Sequence, residues 1–298
     1  MSQTILVTGS ASGFGRLTVE TLARQGHRVF AGIRASTSRN TDATNELHAL
    51  AENEHFALQV VELDVTDDTS VNKAVEHVVH TTGRLDVVVN NAGVSYSGPL
   101  EAFTLEQVQQ QFETNVFGVI RVNRAALPHM RAQGNGLLLQ IGSVVGRLAF
   151  PFVGLYGATK FALEGLTESY RYELAALGID AVIVEPSTYP TNLSANRFAP
   201  EDAERVAPYA TVMSEFVPRF LADIMTTTPP NPQEVADAVA TLIAQPAGTR
   251  PLRTLVALEN QRHAPQGVND AGETAIQAYL EMLGVTDLLT LSSGVKSV

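Results

Sequence analysis

"TILVTGSASGFGRLTVETLA", residues 4–23, carries a short apolar run, then Gly9, Gly13 and Gly15, then an amphipathic stretch immediately behind them. It reads as a strand, a tight turn and the start of a helix. Such a turn lets backbone amides approach a pyrophosphate closely, and the helix dipole favours the negative charge. The spacing is T-G-x-x-x-G-x-G and not G-x-G-x-x-G, and glycine also serves tight strand–helix turns that bind nothing. Position favours dinucleotide binding, because this turn follows the first predicted strand of a parallel sheet.

The parallel sheet follows from the rest of the chain. Apolar runs recur at 4–9, 27–33, 56–63, 85–93, 136–143, 179–187 and 253–258. Several are continuously hydrophobic, as expected of strands covered on both faces. Segments near 13–25, 42–53, 67–81, 104–132, 154–177 and 233–245 read as helices between them. This alternation predicts an α/β fold of Rossmann type, a doubly wound parallel sheet of about seven strands with helices on both faces. No repeat or flexible linker interrupts it, so residues 1–258 are expected to form a single dinucleotide-binding and catalytic domain.

Two regions break the rhythm. Residues 188–232 contain seven prolines, from Pro190 to Pro232, interleaved with Phe198, Tyr209, Met213, Phe216, Phe220 and Met225. The stretch reads either as a lid over a cleft or as a surface excursion whose aromatics pack on the core. Residues 259–298 form a C-terminal extension of the same domain. There Ile276, Tyr279, Leu280 and Leu283 mark a helix face, destined for this domain or for a neighbouring subunit.

Composition removes several classes of function. The 298 residues are 45% hydrophobic and 17% charged, and the formal net charge is −11. That balance argues against nucleic acid and anionic membranes, which both need clustered cations. No run approaches a membrane span, and "MSQTILVTGS" lacks the charged start of a signal peptide. Zero cysteines exclude disulfides and thiolate metal sites and fit a cytoplasmic setting. His77 and His80 lie close on a predicted helix without a third ligand, so no metal is expected.

"LYGATKFALEG", residues 155–165, places Tyr156 and Lys160 four apart, on one helix face one turn from each other. Taken alone, the pair fits a packed tyrosine and a lysine reaching for water. It also fits an acid/base pair. A free phenol titrates near 10, and an adjacent ammonium favours the phenolate, drawing its pKa towards the working pH. Ser143 ends an apolar run 13 residues earlier, where it would cap a turn or steady a substrate oxygen. Asn115 falls within the apolar stripe of Val108, Phe112, Val119 and Val122 and must be hydrogen-bonded there.

Together "TGSASGFG", "LDVTD" (63–67), "NNAG" (90–93), Asn115, Ser143 and "YGATK" (156–160) resemble the short-chain dehydrogenase/reductase superfamily, in its order and at its spacing, over residues 4 to 258. "TGSASGFG" with "VFAGIR" is most similar to the branch acting on steroids, retinoids and other lipophilic carbonyls. The resemblance implies a catalytic set of Asn115, Ser143, Tyr156 and Lys160, with Ser143 and Tyr156 meeting the substrate. Asn115 would hold a water that links Lys160 to solvent, and Lys160 would bond the nicotinamide ribose. Cofactor contacts would come from Gly9, Gly13, Phe14, Gly15, Arg34, Asp64, Val65, Asn91, Ala92, Gly93, Tyr156, Lys160, Pro186 and Thr191. Without the resemblance, Asp64 reads as a turn cap, and Asn90 and Asn91 as an Asx turn.

The cofactor choice rests on "VFAGIRASTSR", residues 29–39. Ile33 stands where an NAD-preferring relative carries Asp, and Arg34 follows, suited to the 2′-phosphate of NADP with Arg39 assisting. NADP is therefore expected, with NAD the alternative; Ser12 stands where some NADP users have a second basic residue. One departure from the family pattern is "EPSTYPT" (185–191), where Ser187 replaces a glycine and Pro190 is added.

The expected function is NADP(H)-dependent interconversion of a secondary alcohol and a ketone or aldehyde, by a homodimer or homotetramer built through the helices near 104–132 and 154–177. A sugar-nucleotide epimerase or dehydratase would usually have another glycine spacing and a larger C-terminal domain. A dinucleotide-sensing regulator on the same fold would predict loss of the catalytic set, and all four residues are present.

Overall fold

Continuously apolar runs need cover on both faces, and all seven become parallel strands of one sheet. The computed structural model describes residues 2–195, 197–224 and 230–291, with side chains except at 194–195 and 220–224. Of the lid candidates, Met225 and Pro229 lie outside the described residues, as does the side chain of Phe220. The strands are β1 (Thr4–Thr8), β2 (Arg28–Ile33), β3 (Leu58–Glu62), β4 (Val87–Asn90), β5 (Gly136–Ile141), β6 (Ile179–Pro186) and β7 (Arg253–Val256), in the order β3-β2-β1-β4-β5-β6-β7. In register, Val7 pairs with Val89 and Val89 with Leu139, so alternate residues enter two cores on opposite faces. Strand order reverses between β1 and β4. Ligands of open α/β sheets bind at that point, beyond the strands' carboxyl ends.

The helices are α1 (Gly13–Arg24), α2 (Thr41–Glu54), α3 (Asp68–Thr82), α4 (Leu105–Phe112), α5 (Gly118–Gln133), α6 (Gly154–Ala175), α7 (Asn192–Ala195), α8 (Ala203–Val206), α9 (Ala210–Ile224), α10 (Gln233–Ala244) and α11 (Glu259–Leu283). Their ends carry local signals. Asp67 caps α3 by accepting from Thr69 N, and Thr104 with Gln107 forms a capping box on α4.

The single helix expected over 104–132 is corrected. A π-helical turn, Glu113–Phe117, separates α4 from α5, and Asn115 sits inside it. Just beyond, Gly118 lies so close to the strand-end loop that a Cβ there would stand 2.8 Å from Val65 Cγ2. Periodicity does not show a π-turn, because one extra residue shifts the apolar stripe without erasing it.

The stretch 188–232 contains the helices α7, α8 and α9 and is pinned down. Phe198 exchanges main-chain hydrogen bonds with Ser95 and Ser97 and stacks on Tyr96 at 4.9 Å. Gln107 Nε2 donates to the Ala199 carbonyl, Tyr209 donates to Glu101, and Phe152 meets Phe216 edge-on. In the tail, Leu280 is buried and Ile276 half-buried, while Tyr279 and Leu283 are exposed. Among the described residues no helix is long and apolar enough to cross a membrane.

Candidate active site

At the carboxyl end of β1, Thr8 ties two loops together. Its hydroxyl accepts from Asn91 N and Ala92 N, both at 3.0 Å, and Asn91 Nδ2 donates back to Thr8 O and Gly9 O. The loops approach so closely that side chains are excluded. Gly9 holds φ +67°, and a Cβ on it would stand 2.7 Å from Ala92 Cα. A Cβ on Gly15 would stand 2.4 Å from Asn91 Nδ2. Asn90, buried beneath, donates to Asn123 Oδ1 on α5 and secures β4.

α1 opens here with no acidic residue in its first turn, so its first N–H groups face the cleft without a competing charge. Ser12, Gly13 and Phe14 line the cleft, with Tyr189 edge-on to Phe14 at 5.7 Å and Thr191 beside Gly13. These are residues suited to an anionic, flat-ringed group such as a dinucleotide. Gly15 is not in the cleft wall; its part is to let Asn91 in.

The cleft has a volume of about 630 Å³ and runs along the ends of β1, β2, β4, β5 and β6. At one end stand Arg34, Arg39 and Asp64. Arg34 Nε is 3.9 Å from Asp64 Oδ2, so Arg34 has an acidic neighbour in space that its own stretch of sequence does not show. Ala35 takes φ +51°, and Glu62 fixes the loop by accepting from Ala35 N, Ser36 N and Ser36 Oγ. Those bonds hold the Glu62 carboxyl below its ordinary range against the cost of burial. Asp64 serves as wall and turn cap at once: its Oδ1 accepts from Thr66 N and Thr66 Oγ1 while the residue lines the cleft beside Val65.

At the other end stand Ser143, Tyr156 and Lys160, with Pro186 and Ser187 behind. Ser143 follows β5, accepts from Val145 N at 3.3 Å, and hydrogen-bonds to the Tyr156 phenol. The turn-capping reading of Ser143 therefore holds. Lys160 is buried, donates to the Ile141 carbonyl at 2.6 Å, and lies 5.5 Å from the Tyr156 ring centroid. The Oγ of Ser187 is buried without a partner among the described residues, facing the same cleft.

The electrostatics correct one expectation. Burial is the dominant influence on Tyr156 and pushes its phenol above the ordinary value, while the Arg197 guanidinium and the Ser143 hydrogen bond pull it back. Lys160 is not among the groups that lower it; its ammonium donates to the Ile141 carbonyl, and burial lowers the lysine itself to about 8. Asn115 is buried and hydrogen-bonded, as its place in an apolar stripe requires. Its Oδ1 accepts from Val94 N, and its Nδ2 donates to Val94 O and Thr159 Oγ1, so the amide is satisfied by protein and stands behind Gly93, outside the cleft wall.

Glu62, Ser187 and Arg197 were not singled out by sequence as site residues. Arg197 lies just beyond α7, and no local motif ties it to a tyrosine 41 positions away. Glu62 has a legible signal only in retrospect, as the carboxylate ending the strand beside the Arg34 loop.

Residues 3–202 match the model of the short chain dehydrogenase family. Retinol dehydrogenase 8 of Bos taurus is 32% identical over 270 residues, 88% of this chain and 83% of that protein. Human 17-beta-hydroxysteroid dehydrogenase type 1 is 34% identical over 254 residues, covering 82% of this chain and 75% of its own length. A short-chain dehydrogenase structure from Streptomyces avermitilis superposes with a TM-score of 0.71 at 30% identity, over 96% of this chain and 98% of that one. A gluconate 5-dehydrogenase from Burkholderia cenocepacia in complex with NADP and tartrate matches at 25% identity with a TM-score of 0.70, covering 87% and 95%. The chain belongs to the short-chain dehydrogenase/reductase superfamily, on its hydroxysteroid- and retinol-dehydrogenase-like side, and is a nicotinamide-dinucleotide-dependent oxidoreductase acting on CH–OH groups.

Proposed function

We propose that the protein is an NADP(H)-dependent oxidoreductase that interconverts a lipophilic alcohol and its carbonyl compound, a secondary alcohol with a ketone or a primary alcohol with an aldehyde, with Tyr156 as general acid/base. The convergence of Ser143, Tyr156 and Lys160 in the cleft that begins at the glycine turn carries this reading. Gly9, Gly13, Phe14 and the first amides of α1 hold the pyrophosphate. Asp64 and Val65 flank the adenine, Asn91, Ala92 and Gly93 its ribose, and Arg34 with Arg39 takes the 2′-phosphate. Pro186 and Thr191 border the nicotinamide, and the orphan Ser187 hydroxyl supplies a hydrogen-bond partner there. The bound dinucleotide supplies or accepts the hydride.

The protein's own task is to manage the proton. In reduction Tyr156 Oη gives its proton to the carbonyl oxygen, and the Ser143 hydroxyl steadies that oxygen. Burial keeps the phenol protonated, which suits the reductive direction; Arg197 and Ser143 offset part of that bias. Asn115 acts as a brace, locking the π-turn to Val94 and Thr159. A proton route to solvent through a water would then use main-chain carbonyls at the π-turn and not the amide.

The substrate end of the cleft supports an apolar ligand. Val94, Val144, Val145, Val153, Leu193 and Phe198 line it, with Arg197 as a nearby cation. We assign residues 188–232 as the lid and residues 259–291 as an extension of the same domain, since Arg147 Nε donates to Asn269 on α11 and Asn269 donates to Glu185 on β6. A fluorescence titration with NADPH and NADH, followed by NADPH oxidation against a panel of lipophilic ketones and aldehydes, tests the assignment. Failure to bind either dinucleotide overturns it.

A further inference from the structure

Beneath the cleft floor lies a second polar cluster, with its inner carboxyls buried. Glu164 stands one turn beyond Lys160 on α6 and is 3% exposed; Glu185 on β6 is fully buried. Arg253 on β7 donates through Nε to Glu164 Oε2 and through Nη2 to Glu168 Oε2, both at 2.8 Å, with Glu185 Oε1 3.9 Å away. Tyr172 Oη donates to the other oxygen of Glu168. From α11, Asn269 Nδ2 donates to Glu185 Oε2 at 2.5 Å, and Asn269 in turn accepts from Arg147. The turn after Ser143 presses on this face at Gly146, where a Cβ would stand 3.0 Å from Lys160 O and 3.3 Å from Glu164 Cγ.

This network satisfies one oxygen of each inner carboxyl and leaves one of each over. Glu164 Oε1 and Glu185 Oε1 are buried without a hydrogen-bond partner among the described residues, and the two carboxyls meet at one guanidinium, Arg253 Nε lying 2.8 Å from Glu164 Oε2 and 3.9 Å from Glu185 Oε1. Ionised carboxylates only accept, so two of them hydrogen-bond only with a proton between them. In a dry site two like charges at contact also raise the pKa of one member strongly.

We propose that Glu164 and Glu185 share a single proton, and that Glu164 is a positioning residue which sets the charge on Lys160 by keeping or releasing it. The second half rests on the reading of Tyr156 and Lys160 given above. Burial, then the neighbouring Glu185, pushes Glu164 up to about 8, against the pull of Arg253. Burial brings Lys160 down to about 8, and the Glu164 charge opposes that fall. As the pH rises, Glu164 releases its proton to solvent and leaves a second negative charge in the pair. That charge keeps Lys160 cationic beyond the pH at which burial alone would neutralise it.

Infrared difference spectra of the full chain, recorded across a pH titration of wild type and Glu164→Gln, read the shared proton directly. The wild type is expected to show a neutral, buried carboxyl that disappears as the pH passes about 8, and Glu164→Gln to lack it. A wild type without that band, or a variant that keeps it, overturns the shared proton. If Glu164→Gln does not fold, Glu185→Gln replaces it. Removing the like charge leaves Glu164 ionised beside Arg253, so the band must vanish there too. The effect on Lys160 is read from the nitrogen resonance of its side-chain amine across the same pH titration, whose midpoint should fall about one unit earlier in Glu164→Gln. An unmoved midpoint overturns the positioning role. Retained turnover in Tyr156→Phe would sink the acid/base reading while leaving the infrared result standing.

Discussion

Lys160 Nζ lies over the ring of Tyr156, 5.5 Å from its centroid, and not at its hydroxyl. The lysine is held there by the Ile141 carbonyl, so it touches the tyrosine through the ring face and not through the reacting oxygen. Tyr156→Phe keeps that face and removes only the hydroxyl. Dinucleotide affinity should therefore stay within about twofold of wild type while kcat falls about 10³-fold, within the range for losing a general acid. Stopped assays with NADPH and an accepted ketone, paired with a fluorescence titration, separate the two. Turnover near the wild-type rate would remove Tyr156 from the chemistry. A protein that binds the dinucleotide but turns over none of the panel even as wild type would point to the regulator reading.

Arg34 has a side chain 45% exposed, with Asp64 as its nearest acid. A weak, solvent-screened pairing leaves the guanidinium available to phosphate at little cost. Arg34→Ala should weaken NADPH binding about tenfold, or about 1.4 kcal/mol, and leave NADH binding unchanged. Equal loss for both dinucleotides would mean that Arg34 supports the loop and does not read the 2′-phosphate.

The sheet, its helices and most of the cleft wall were legible because they depend on local rules. Apolar runs mark parallel strands, and glycine at Gly9 answers a positive φ and a close contact that no other residue fits. What escaped prediction depends on pairings across the fold. The π-turn at Asn115 needs one inserted residue that leaves the apolar stripe readable. The raised phenol of Tyr156 is a burial effect, and the motif shows only its lysine neighbour. Glu164 looked like one more polar residue on α6 until β6 brought Glu185 against it.

Oligomerisation has a specific candidate surface. Phe117 at the π-turn and Phe161 on α6 are 47% and 44% exposed, on the two helical segments that the family resemblance assigns to a dimer. Large apolar groups at such positions suit a buried interface. Light scattering should give at least twice the chain mass of 31.9 kDa for the wild type, and Phe161→Asp should shift it towards monomer. A monomeric wild type would show that these aromatics serve something else.

The carboxyl pair also predicts a stability signature independent of turnover. Glu164 has its folded pKa raised from 4.5 to about 8, so the folded state holds a proton that the unfolded chain releases earlier. Its contribution is fully present below the unfolded value and is lost as the pH rises through the folded one. Glu164→Gln does not titrate and supplies the reference. The difference in melting temperature, wild type minus variant, should fall steadily from about pH 4.5 to about pH 8 and level off above. For chains of this size about 1 kcal/mol moves the midpoint by about 2–4 °C, so a shift of several degrees is readable by calorimetry. Lys160, lowered from 10.5 to about 8, acts with the opposite sign, and its effect lies above that window. A difference that stays flat between the two values would mean that Glu164 is already ionised at neutral pH, and that Arg253 outweighs the burial of the pair.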